Sequence, residues 1–226
     1  MIVSGIGWFS ESGCGSQRLG YQKEFKDTKV LYRLLEDEGI FNASLDKARW
    51  FSTGSRRYCF AAALALRDSF EDPGAFRSSA ADTGMLSLSR DGSLKANLDY
   101  FRDYLQSGRK SARGNLFIHT LPTSPLADIS MAFGFKGPLF HLASAEPQLG
   151  LLLDRSEALS RRSKELNLLC CISDESSVLC FFLTPQGPDR RPGDLSLSEL
   201  RKHAGHLGSF REIADALKLR LETFSC

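Results

Sequence analysis

The 226 residues are 42% apolar, include 16 phenylalanines and carry a formal net charge of +2. That is enough to bury the core of one domain, and no basic block is long enough to track a nucleic-acid backbone. No run approaches the roughly 20 apolar residues of a membrane span, and the opening MIVSGIGWFSESGCG lacks the basic leader and unbroken apolar run of a signal peptide, so a cytoplasmic chain with no nucleic-acid or membrane partner is expected.

Residues 2–8, IVSGIGW, read as a buried strand, followed by a polar, glycine-rich loop to Gly20. Residues 21–53 are mixed, with a short helix expected at 30–39. SRRYCFAAALALRDSF, 55–70, predicts a helix capped by Ser55, with Cys59, Ala62, Ala63, Leu66 and Phe70 on one stripe. Its Ala61-Ala62-Ala63 run allows a neighbour to approach closely. Residues 83–89, TGMLSLS, predict a strand. Leu94, Leu98, Phe101 and Leu105 mark one side of a helix over 93–107, stopped by Gly108. A third helix is expected at 123–134, a strand from Phe140 to Ala143, and a helix from Pro147 to about Arg162. Residues 167–173 and 178–184 read as strands that the short DESS link makes antiparallel.

The composition of 185–194, PQGPDRRPGD, is that of a linker between a domain at 1–184 and a tail at 195–226. The tail's best element is a helix over 209–224. It opens on the capping box Ser209-x-x-Glu212 and carries the stripe Phe210, Ile213, Leu217, Leu221 and Phe224. Alternation of strands and helices predicts an α/β fold: a five-stranded, mostly parallel sheet with one antiparallel edge strand, flanked by helices.

The six cysteines, Cys14, Cys59, Cys170, Cys171, Cys180 and Cys226, have no C-x-x-C spacing and are expected as buried thiols. His203 and His206 stand three apart near the tail, too few to make a ligand set, so no metal is expected. The loop GIGWFSESGCG has scattered glycines but no dinucleotide fingerprint, and no cofactor is implied.

The chemistry-bearing stretch is GPLFHLASAEPQLG, 137–150. A turn, a short strand, a small-residue corner and a helix start are how many enzymes present a nucleophile, but the corner here carries Glu146, a poor one. A Ser144/His141/Glu146 triad is disfavoured, because ASAEP lacks the G-x-S-x-G elbow and the three residues are too close in sequence. At a helix N-terminus, Glu146 would gain a few tenths to about 1 kcal/mol from the dipole and would repel an incoming oxyanion. That suits a structural anion better than a catalyst.

In order and spacing these segments resemble the N-terminal half of a β-ketoacyl synthase of the thiolase fold over residues 2–184. IVSGIGWFSESGCG is similar to the family's opening strand and glycine turn. SRRYCFAAALALRDSF is similar to its first long helix, and TLPTSPLADISMAFGFKGP to the approach to the nucleophile strand. GPLFHLASA then stands where the family's approach to its catalytic cysteine stands. The resemblance puts Glu146 in the cysteine's place. The two catalytic histidines come from the family's second half, and none of His119, His141, His203 and His206 lies in a matching motif.

A cysteine-less chain of this kind is similar to the chain-length-factor-like proteins of aryl polyene and related fatty-acid-like pathways. The resemblance implies pairing with a full-length ketosynthase that carries the catalytic residues and meets the acyl carrier protein. The strand near 139–145 and the helix near 123–134 would form the contact. Phe133, Phe135, Leu139, Phe140, His141, Leu142, Ser144 and Glu146 are the implied partner or acyl-tunnel residues. Two other readings stay open: a small thioesterase or decarboxylase using Glu146 as a base, and a homodimeric module that binds acyl chains or acyl carrier protein.

Overall fold

A computed structural model describes residues 1–10, 13–17, 22–23, 51–70, 79–110, 113–163, 165–174, 176–185 and 195–217. The helix expected at 30–39 and the linker residues 186–194 lie outside these.

The first strand, β1 (Ile2–Phe9), is apolar on both sides because helices cover both faces of its sheet. Two short strands follow, β2 (Cys14–Ser16) and β3 (Gln22–Lys23), each antiparallel to its predecessor. The long helix α1 (Thr53–Ser69) returns across β1 and leads to β4 (Thr83–Ser89). Next come α2 (Leu94–Gln106), a short α3 (Gly114–Phe117) with a 3-10 turn at 118–120, α4 (Ser124–Phe133) and β5 (Leu139–Ala143). Helix α5 (Leu149–Arg162) precedes the hairpin of β6 (Asn167–Ser173) and β7 (Val178–Thr184). The tail adds β8 (Leu195–Ser196), α6 (Leu197–Ala204) and α7 (Phe210–Ala216).

The strands lie in the order β3-β2-β1-β7-β6-β4-β5, with β8 beside β1. Strands β4, β5 and β6 run parallel, and β7 is antiparallel to both β6 and β1. Two expectations are corrected here. Among the described residues the sheet has eight strands and not five, because strands of two or three residues carry no readable periodicity. Nor is the sheet mostly parallel with one antiparallel edge strand: among the described strands only β4–β5 and β4–β6 pair in parallel, while β1–β2, β1–β7, β1–β8, β2–β3 and β6–β7 are antiparallel, and β7 is interior. The short link fixes the direction of β7 against β6, but it says nothing about which distant strand takes the other side of β7.

Helix α1 lies almost on the backbone of β1. A Cβ added to Gly5 would stand 2.1 Å from the Ala65 carbonyl oxygen, and one on Gly7 would stand 2.3 Å from that of Ala61. Small residues on both partners are what allow the approach. The cap of α1 is Ser52, not Ser55. Ser52 has the extended backbone of an N-cap, and its Oγ accepts from the Ser55 N–H at 3.0 Å.

Helices α1 and α4 cover one face, with Phe60, Leu64, Leu126, Ile129 and Phe133 packed on Met85, Leu169 and Phe182. On the other face α5, α6 and α7 place Leu152, Leu153, Leu200 and Ile213 against Val3, Ile6, Leu168 and Phe181. Burying each such side chain is worth roughly 1.5–3 kcal/mol.

The tail thus shares a core with the sheet. Phe210 also meets Trp8 with ring centroids 6.2 Å apart. The Ser209/Glu212 capping box forms as the sequence predicts, and a second one, Ser196/Glu199, opens α6. Of the helix expected over 209–224, Phe210–Ala216 is described, and 218–226 lies outside the described residues. Among the described residues no helix is long and apolar enough to cross a membrane.

Candidate functional site

Among the described residues strand β5 is the last in the sheet and pairs on one side only, in parallel with β4 from Met85↔Leu139 to Ser89↔Ala143. Backbone bonds extend the pairing beyond both ends: Gly137 N–H donates to Thr83, Met85 N–H to Pro138 and Ser144 N–H to Ser89, at 2.8–3.1 Å. No other described strand pairs with the far side of β5, which offers strand donors and acceptors as a template for another strand. Side chains alternate between the faces. Leu139 packs on the cluster under α1 and α4, and Leu142 on the cluster under α5. Phe140 is 43% exposed.

His141 turns toward β4, where its Nδ1 lies 2.8 Å from Ser87 Oγ. Its Nε2 is buried without a hydrogen-bond partner, and burial lowers the pKa of the ring. Ser144 Oγ donates to the backbone carbonyl of Glu146 at 3.0 Å. The two groups are therefore committed elsewhere and do not form a triad with the Glu146 carboxylate.

The expected helix start at Pro147 is corrected to Leu149, with Gln148 as its cap. Glu146 is exposed and precedes the helix, so it is not in the first helical turn. Nor are the first helical donors open to it. The N–H of Leu149 donates to the Leu207 carbonyl at 2.9 Å and that of Gly150 to the Gly205 carbonyl at 2.7 Å, both in the tail. The Leu151 N–H donates to Gln148 at 3.0 Å.

Phe133 and Phe135 stack with centroids 5.8 Å apart and are buried in the core under α1 and α4. Nearby, Asp128 is buried with one carboxylate oxygen unpartnered, and burial raises its pKa against the hydrogen bond from Ser55. Among the described residues no group of three or more His, Cys, Asp and Glu side chains is placed to hold a metal ion.

One feature escaped the sequence reading. No residue of α2 is buried. Its stripe of Leu94, Leu98, Phe101 and Leu105 faces outward, as do Phe117, Ile118, Leu121 and Met131. The periodicity of α2 was legible, but the direction of its apolar side was not, because the stripe is the same whether its cover is intrachain or intermolecular. Large apolar side chains left exposed in this number make these elements a candidate interaction surface.

No family model matches the sequence, and no curated protein matches it. Solved structures do. One is a ketosynthase (ApeO) in complex with its chain length factor (ApeC) from Xenorhabdus doucetiae, at 13% identity and a TM-score of 0.50. Over the matched part the chain shares its fold with that structure.

The match covers 65% of this chain and 63% of the neighbour, so the chain spans less than two thirds of that protein's length. At this identity the likeness concerns the fold. In this chain the corner after β5 carries an exposed carboxylate, and among the described residues the strand before it lies at the sheet edge.

Proposed function

We propose that the protein is a non-catalytic, chain-length-factor-like subunit that pairs with a full-length β-ketoacyl-acyl carrier protein synthase in a fatty-acid-like pathway of the aryl polyene type. The observation that carries this reading is the edge of β5, unpaired among the described residues, together with the exposed apolar side chains of Phe140 and of α2. The neighbour's own assembly of ketosynthase with chain length factor supports the kind of partner.

Pairing of β5 with the same strand of the partner would join two sheets into one and cover the exposed Phe140. The stripe of α2, with Phe117, Ile118 and Leu121, would flank that seam. Phe140, Leu139 and Leu142 are then the residues of this chain nearest the partner. Phe133 and Phe135 support the strand from the core. The thiolate and histidines needed for condensation would come from the partner, which would also receive the acyl carrier protein. The cytoplasm is the expected compartment.

The deciding experiment is co-purification of the tagged chain from its native cell, with mass spectrometry of the associated proteins. A near-stoichiometric ketosynthase is the expected result. A clean homodimer without a second protein would overturn the reading in favour of a self-pairing acyl-binding module.

A further inference from the structure

A helix N-terminus that follows a strand and a tight corner is a ready anion cradle, because its first N–H groups lack intrahelical acceptors. In this chain the cradle of α5 is already filled from within. Gly205 and Leu207 supply the acceptors for Gly150 and Leu149.

The contact is close enough to demand small residues on both sides. A Cβ on Gly150 would come within 2.7 Å of the Gly205 oxygen, and a Cβ on Gly208 within 2.2 Å of the Pro147 oxygen. The occupying segment is also held from both ends. Before it, β8 pairs with β1 and α6 buries Leu197, Leu200 and Ala204. After it, α7 buries Ile213 and Ala214. Arg201 of α6 reaches Asp154 and Glu157 of α5 at 2.5 and 3.2 Å, an exposed bridge that fixes orientation more than it adds stability.

We propose that residues 205–208 are a permanent intrachain seal on the N-terminus of α5. The elbow after β5 is thereby closed to acyl oxyanions, phosphates and carboxylates, and residues 195–217 are a fixed part of the fold and not an arm awaiting a partner. The carbonyl dipoles of Gly205 and Leu207 serve the role that an anionic ligand would have served. The seal is made entirely within one chain, so it holds whether or not a ketosynthase binds.

The test is amide hydrogen exchange on the intact chain, read residue by residue by NMR. Leu149 and Gly150 are expected to exchange with the slow amides of β6 and β7, long after those of α2. Fast exchange at 149 and 150, with the rest of α5 slow, would overturn the proposal. Inorganic phosphate is the second probe. No saturable shift of the two amides is expected, and a saturable one would refute the seal.

Gly208→Val is expected to lower the melting temperature and speed exchange at 149 and 150. Should that chain not fold, Gly208→Ala and Ser209→Ala give graded versions of the same readout. An unchanged exchange rate in the folded variants would count against the contact. None of these measurements involves a second protein, so loss of the proposed pairing and loss of the seal are separable results.

Discussion

Ser87 on β4 and His141 on β5 face each other in register, and their side chains hydrogen-bond across the parallel pair at 2.8 Å. The imidazole is pinned to the strand below it, with its other nitrogen shut off from water. Burial lowers the pKa of His141 in the folded chain. The unfolded chain therefore takes up a proton first as pH falls through the ordinary histidine value of about 6.5. The stabilising contribution of the neutral ring is complete above that value and declines below it, levelling off once pH has passed the folded-state pKa. Thermal unfolding of the native chain and of His141→Gln between about pH 8 and pH 5 should show a native-specific loss on the acid side. Parallel curves would rule out this titration.

The outer edge predicts a separation of binding from stability. Phe140→Lys adds a charge at an exposed position, so the melting free energy should move by no more than about 0.5 kcal/mol. Recovery of the ketosynthase with the tagged chain should fall at least roughly tenfold, because an edge lysine blocks strand addition. Undiminished recovery would move the contact away from β5.

Glu146 is exposed, outside the helix, and has no free helical N–H donors in the turn that follows. Glu146→Gln should leave stability within about 0.5 kcal/mol and leave pathway product formation in the native cell unchanged. A loss of product with the fold intact would favour the general-base reading of this residue.

Gly7 tests the packing of α1 on β1. Gly7→Ala places a methyl group 2.2 Å from the Ala65 nitrogen. A cost of about 3 kcal/mol, the upper range for overpacking, is expected in urea unfolding. A neutral effect would mean that α1 can lift from the sheet.

The thiols of the core should be silent until the chain unfolds. Burial pushes Cys170 up to about 12, against a hydrogen bond with Ser156, and raises Cys59 and Cys180 as well. Cys180 and Cys171 sit opposite each other with their sulfurs 3.0 Å apart. Iodoacetamide at about pH 8 should label these positions only in denaturant, as peptide mapping would show, since the thiolate is the reactive form.

Much of this architecture was legible in the sequence. The strand at 83–89, the hairpin of 167–173 with 178–184 and the Ser209/Glu212 box follow from local pattern and turn chemistry. What local pattern could not give was the company each element keeps. The helix start moved from Pro147 to Leu149 beside a tail some 55 residues later that meets its first donors. The outward face of α2 could not be inferred from Leu94, Leu98, Phe101 and Leu105, which have a core-like spacing. At the site, the absence of a nucleophile at position 146 was readable. The commitment of His141 to Ser87 required the register of β4 and β5.

The pairing of Ile2 with Thr184 has a consequence for how the molecule is made. On the ribosome, the first strand emerges long before the residues that will flank it on that side. The middle of the sheet is therefore closed only when β7, far along the chain from β1, has been made, a topology that folds slowly. Until then, among the described residues, Ile2–Phe9 has one edge unpaired and only α1 packed on its face. A pause or truncation before Val178 would leave that edge exposed, and nascent chains of this length should be held by chaperones in the cell.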